Sequence, residues 1–236
     1  MSSFAVEMEK KLAHYPARTS KHHPETYVGG RLRFLGISSP YLRAAMRDDF
    51  SSTGAKDWDQ VWHSSDCFEV MSLALAWFGD RRRRELLPKH WQMLKSWAPR
   101  IDNWAHADAL SGLYAHTLEQ APRKVYPTLQ AWSRSKNPWL RRLAVVSLLY
   151  YSAQRKTVLP LPKILALIEP QLSHEHLYVQ KGVGWALREA GNVYPDEVYV
   201  FLETHAHALS PAAFSAATEK LSLRRKERLK KIRRAR

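Results

Sequence analysis

The strongest constraint on this chain is a spacing. Helices that open on an aromatic residue recur at Trp104, Trp139 and Tyr178, and a further helix opens at Pro211, so that one opening follows another every ~33–40 residues. Each is preceded by a shorter amphipathic stretch and a polar turn, over residues 90–98, 126–133, 163–172 and 197–205. Apolar residues fall three and four apart through most of the chain, no long stretch alternates with period two, and polar clusters such as Lys136-Asn-Pro138 and Ser210-Pro211 punctuate the pattern. The fold class is therefore all-α. A helix pair that repeats cannot bury its apolar face alone and stacks on the next pair. The period predicts a solenoid of HEAT-like antiparallel helix pairs whose second helices line a concave surface. An irregular helical bundle is the other arrangement the spacing allows.

The N-terminal segment 1–55 does not follow the period and is expected to form capping helices. Residues 1–223 are read as one repeat domain and 224–236 as a basic C-terminal tail. The tail holds nine Lys or Arg and one acid, a net +8 of the chain's +15; the repeat domain holds 28 bases and 21 acids, a net +7. Such an excess suits a polyanion, whether DNA, RNA or an anionic membrane surface, or else a tail that only aids solubility. The single cysteine, Cys67, sits in an apolar run and reads as a small core residue; one thiol makes no disulfide framework and no Cys-rich zinc site. No apolar run, that over residues 145–151 included, approaches the roughly 18 residues of a membrane span. The N-terminus lacks the apolar stretch of a signal peptide. A soluble, cytoplasmic, nucleoid-associated monomer is expected, with no membrane and no obligate protein partner.

The repeated helices carry chemistry away from their apolar stripes. In the helix opening at Trp139, Leu140, Leu143, Ala144, Ser147, Leu148 and Tyr151 share one stripe, and Trp139 and Arg142 lie off it. In the next, Val179, Val183, Ala186 and Ala190 form the stripe, while Tyr178, Lys181, Trp185 and Arg188 share another face. In the first, Trp104 and Asp108 are one turn apart, and Leu110, Leu113 and Leu118 can pack inward. Arginine beside aromatics suits a nucleic-acid backbone, and a lone carboxylate among them suits charge stabilisation or proton transfer. Taken singly, each tryptophan can be core, Arg142 a solvated or ion-paired side chain, and Asp108 a surface charge. Arg81–Arg84 reads as a solvated turn or as a phosphate-contacting loop. No phosphate-binding loop, dinucleotide-binding turn or HExxH zinc helix is present, and the histidines are scattered, so no metal and no cofactor are called for.

Four separated segments, in order, resemble the AlkD-like alkylpurine DNA glycosylases, the HEAT-like DNA alkylation repair family. They are Tyr27 leading into Arg33-Phe-Leu-Gly-Ile-Ser-Ser-Pro40 and Leu42-Arg43; Ile101-Asp-Asn-Trp104-Ala-His-Ala-Asp108; Pro138-Trp-Leu-Arg-Arg142; and Tyr178-Val-Gln-Lys-Gly-Val-Gly-Trp185-Ala-Leu-Arg-Glu189. The resemblance implies a right-handed solenoid of HEAT-like helix pairs that wraps duplex DNA containing alkylated bases in a concave basic groove and hydrolyses the glycosidic bond of cationic N3- and N7-alkylpurines. It assigns Asp108 as the catalytic carboxylate, Trp104 and Trp185 as aromatics on the lesion's sugar–phosphate, and Arg142 as an arginine engaging DNA near the lesion. It matches Tyr27 to an N-terminal aromatic of the site. Lys181, Arg188 and Trp139 are expected DNA contacts. Ala105 stands where some members carry an acid, and the tail lies outside the family's pattern. A non-catalytic protein that binds damaged or branched DNA, and a helical scaffold for a peptide or subunit, are the alternatives.

Overall fold

The computed structural model describes residues 3–17, 28–48, 50 and 53–235. The described residues are helical with no strand; two isolated bridges join Ala17 to Ile37 and Arg33 to Cys67. The all-α expectation holds. The chain forms two compact units, Met1–Leu113 and Tyr114–Arg236.

The first unit contains α1 (Ser3–Leu12), α2 (Ser39–Asp48), α3 (Ala55–Ser64), α4 (Phe68–Gly79), a 3₁₀ segment Arg81–Leu86, α5 (Trp91–Trp97), a 3₁₀ turn Ala98–Arg100 and the start of α6 (Trp104–Gln120). α4 has almost no polar stripe, and eight of its residues from Glu69 to Phe78 are buried, so it is the central helix. α1, α2 and α3 pack on it. Large aromatics fill the space between. Trp62 stacks on Trp97 at 4.7 Å, and Phe78 meets Trp97 edge-on at 5.5 Å. Their polar edges are satisfied: Trp62 Nε1 donates to the Trp97 carbonyl and Trp97 Nε1 to Asp59. Cys67 is fully buried and its thiol is pushed up to about 12 by that burial, as fits a core residue.

The second unit continues with α7 (Pro122–Trp132), α8 (Pro138–Val146), α9 (Leu161–Ile168), α10 (Leu177–Gly191), α11 (Pro195–His205), α12 (Pro211–Ala217) and α13 (Leu223–Arg234). α7 pairs with α8 and α9 with α10, while α8, α10 and α12 stack in succession. Three second helices of the predicted period, α8, α10 and α12, are therefore neighbours in space. Proline opens several of these helices, where its missing N–H costs nothing, and Asn137 and Ser210 cap α8 and α12 by accepting backbone N–H bonds. The Gly182-Val-Gly184 motif lies where α10 meets both flanks. A Cβ at Gly182 would sit 3.3 Å from Val145 and Val146 on α8, and one at Gly184 would sit 2.5 Å from the Ala213 carbonyl oxygen on α12.

Two expectations about this unit need correction. α8 ends at Val146 rather than running on through Tyr151, so Tyr151 is not part of a buried helical stripe: it is 48% exposed, at φ 50°. Residues 224–234, read as part of a tail, lie in helix α13 (Leu223–Arg234), which is capped by Ser222 and packed on α11.

Candidate nucleic-acid interface

In the first unit the candidates sit on the opening turns of α6. Asn103 Oδ1 accepts the His106 backbone N–H at 2.9 Å and so caps the helix. The preceding Asp102 accepts the Arg31 backbone N–H at 2.7 Å. Gly30 makes this approach possible: its φ is +92°, and a Cβ there would lie 2.7 Å from the Asp102 carboxylate. His106 locks the same turn from inside. Its ring stacks on Phe68 at 4.3 Å, Nδ1 meets the Asn103 amide at 3.2 Å, and Nε2 meets Ser72 Oγ at 2.9 Å. Burial pulls its pKa down to about 3, so it is neutral; the Asn103 donor at Nδ1 then leaves the proton on Nε2. Ala107 and Leu110 bury the inner face, and Trp104 and Asp108 are left half-buried on the other.

The Arg33–Pro40 segment is a fastening loop. The backbone N–H groups of Leu35, Gly36 and Ile37 converge on the buried Glu69 carboxylate at 2.8–3.2 Å. Arg33 bridges Glu9 and Asp66, and its guanidinium pulls the Asp66 carboxyl down. Tyr27 lies outside the described residues.

In the second unit the outward face of α10 has the predicted membership. Val179, Val183, Ala186 and Ala190 are fully buried, Tyr178, Trp185 and Arg188 are half-buried and Lys181 is exposed. Trp139 stacks on Tyr178 at 5.3 Å, and Lys181 Nζ lies over the same ring at 5.3 Å. The Arg188 guanidinium lies near the Trp185 ring and bonds Glu219 at 2.7 Å and Glu189 at 3.3 Å. Arg142 does not share the open face. It is 6% exposed, and its Nη1 donates to the Tyr178 carbonyl at 2.6 Å, because α10 stacks over the side of α8 that a single-helix projection leaves free.

Sequence reasoning missed several members of these arrangements. Tyr150 and Tyr151 both contact Trp185, at 5.7 and 5.8 Å between ring centroids. The backbone after Tyr151 is pinned by buried Glu189, which accepts both the N–H and the hydroxyl of Ser152. The Tyr150-Tyr151 doublet was visible in the sequence; the burial of His106, Glu69 and Glu189 had no sequence signal. At Arg81–Arg84, Arg82 and Arg83 are bound by Asp80, whose carboxyl Arg82 pulls down to about 2, and Arg83 covers Trp77 at 4.2 Å. No group of three His, Cys, Asp or Glu among the described residues is arranged to hold a metal ion. No helix among them is long and apolar enough to cross a membrane.

A family model described as DNA alkylation repair enzyme matches residues 8–221. Three solved structures are similar over nearly the whole chain. A predicted DNA alkylation repair enzyme from Enterococcus faecalis is 17% identical with a TM-score of 0.65, covering 93% of this chain and 95% of that one. AlkD2 from Streptococcus mutans is 18% identical with a TM-score of 0.53, over 98% and 95% of the two chains. The protein smu.31 from Streptococcus mutans UA159 is 17% identical with a TM-score of 0.54, over 98% of each. No curated protein sequence matches the chain.

Proposed function

The chain belongs to the DNA alkylation repair enzyme family, and from that premise we propose that it is a monofunctional DNA glycosylase acting on cationic N3- and N7-alkylpurines in duplex DNA. The observation that carries this reading is the opening of α6. Trp104 and Asp108 stand one turn apart and half-buried, on a helix whose opposite face is held by His106, Asn103 and the α6 core.

An alkylated purinium is already a good leaving group, so its departure needs little protonation. The C1′–N bond breaks with its electron pair going to the base, which leaves as a neutral purine, and C1′ takes on oxocarbenium character. The Asp108 carboxylate stabilises that cation and orients the water that attacks C1′; the water's proton passes to solvent. The Trp104 face favours the same positive charge. A rigid support is what makes this effective, since a carboxylate already in place needs no reorganisation as charge develops. The α10 face, with Trp139, Tyr178, Lys181, Trp185 and Arg188, holds the sugar–phosphate backbone, and Arg142 supports that face through the Tyr178 carbonyl.

The test is release of 7-methylguanine or 3-methyladenine from alkylated duplex DNA. The wild type releases at least one of them, and Asp108→Asn lowers the single-turnover rate by about 10²-fold or more. Absence of release by the wild type, or full activity in the variant, would overturn the reading; binding without release would mark a damage-binding protein instead.

A further inference from the structure

The last helix presents its charge in an ordered way. α13 docks through Leu229, which is fully buried, and through two arginines that serve the fold. Arg225 bonds Asp196 at 2.6 Å and lies over Tyr199, and Arg233 donates to the Leu209 carbonyl and lies over Phe214. The opposite side carries Arg224, Arg228, Lys231 and Arg234, all exposed and spaced four, three and three apart. That spacing places them along one side of a helix, over about 15 Å of its axis. Arg228 is shared with Glu203, and the one acid on this side, Glu227, is held by Lys230.

We propose that α13 is a second, sequence-independent DNA-binding surface, a rigid row of cations that grips the phosphate backbone of the duplex outside the lesion. Three observations select this occupant. The row is straight and fixed to the second unit, and duplex DNA offers a stiff partner with about one charge per 1.7 Å. The helix has no apolar face left for a bilayer, since Leu229 points inward and only Leu223, at the N-terminal end, is an exposed large apolar residue. The helix that carries the row also begins beside α10: Arg188, Lys220, Ser222 and Arg225 line one cavity of about 340 Å³ between α10 and the start of α13. α13 lies beyond residue 221, where the match to the family model ends, so this grip adds to what the family match covers. The proposal rests on the family's engagement with DNA and not on base release.

The experiment is the salt dependence of full-length protein binding to an undamaged DNA duplex, for the wild type and for a chain carrying R224Q, R228Q, K231Q and R234Q together. Glutamine preserves helix propensity, and unchanged thermal unfolding verifies that α13 stays docked. The slope of log Kobs against log salt becomes less steep by about 3.6 in the variant, because each of the four lost phosphate contacts removes about 0.9. An unchanged slope overturns the proposal. So does an unchanged DNA slope accompanied by lost binding to phosphatidylserine vesicles, which would make the row a membrane contact. Undamaged DNA needs no excision, so the measurement reads out whether or not the glycosylase reading survives.

Discussion

α4 and α10 are the central helices of their respective units, and they achieve burial by opposite means. α4 surrounds itself with bulk: Val70, Met71, Leu73, Leu75, Trp77 and Phe78 keep its neighbours at side-chain distance. α10 removes bulk: Gly182 lies against α8 and Gly184 against α12, and Ala186 and Ala190 are buried on the same helix. The two solutions fail differently. A core of large side chains redistributes a lost or gained methyl group among rotamers, whereas a helix seated on another helix's backbone has no rotamer to move. The small-residue solution also fixes which side of α10 remains open, because two of its sides are occupied by helices at close range. That is why the face bearing Tyr178, Lys181, Trp185 and Arg188 is well defined.

The largest effect that tests this contrast comes from adding one methyl group to each helix. Gly184→Ala places a Cβ 2.5 Å from the Ala213 carbonyl oxygen and 2.8 Å from its Cα, both backbone atoms, so α10 and α12 must separate. The expected cost is about 3 kcal/mol in urea unfolding. Gly79→Ala in α4 meets nothing within 4 Å and is expected to stabilise by about 0.5 kcal/mol, since alanine is the better helix former. Equal effects at the two sites would dissolve the distinction.

The same contrast explains what was legible from sequence. The period and the outer face of α10 were readable because small residues and an apolar stripe at helical spacing leave few ways to stack, and α8, α10 and α12 do stack in that order. That Trp104 and Asp108 share a face of α6 follows from their four-residue spacing alone. Arg142 was misplaced because a projection of α8 alone cannot show that α10 covers it. Tyr151 was misplaced because the helix stops at Val146 without a glycine or proline to announce it. The docking of α13 rests on one buried leucine and on Arg225 and Arg233, whose partners are distant in sequence, in a run of charge that composition reads as a tail. Glu69 and His106 were invisible because a buried polar group is defined by partners distant in the sequence.

A smaller effect concerns the polar lock in the bulky unit. Folding holds the His106 imidazole at about 3, below its ordinary 6.5, because it is buried and faces the charge of Arg100. Between those values the unfolded chain binds a proton that the folded chain does not. Stability therefore falls as pH drops through that window, by about 1.4 kcal/mol per pH unit from this group. Urea unfolding at pH 7, 5.5 and 4.5 isolates the contribution by comparison with His106→Gln, which keeps a polar side chain but cannot titrate. The variant is expected to lose stability less steeply on acidification; identical slopes would show that His106 is not the group being held neutral.

The smallest effect probes the close-packed unit at its edge. Tyr151 is the only described residue other than glycine at positive φ, and a bulky side chain there is strained. Glu189 holds the strain in place by accepting two bonds from Ser152, and the result is an exposed ring set edge-on to Trp185 at an interplanar angle of 89°. Tyr151→Ala and Tyr151→Gly both delete the ring, but only glycine relieves the backbone. The glycine variant is expected to be more stable than the alanine variant by about 1 kcal/mol in urea unfolding. Both should bind duplex DNA more weakly than the wild type by a similar factor, because the ring beside Trp185 is gone from each. If the two variants were equally stable, the left-handed backbone would carry no strain, and the placement of Tyr151 would follow from chain geometry alone. If instead they separated in stability but bound DNA as well as the wild type, the strain would be real and the ring would play no part in the α10 face.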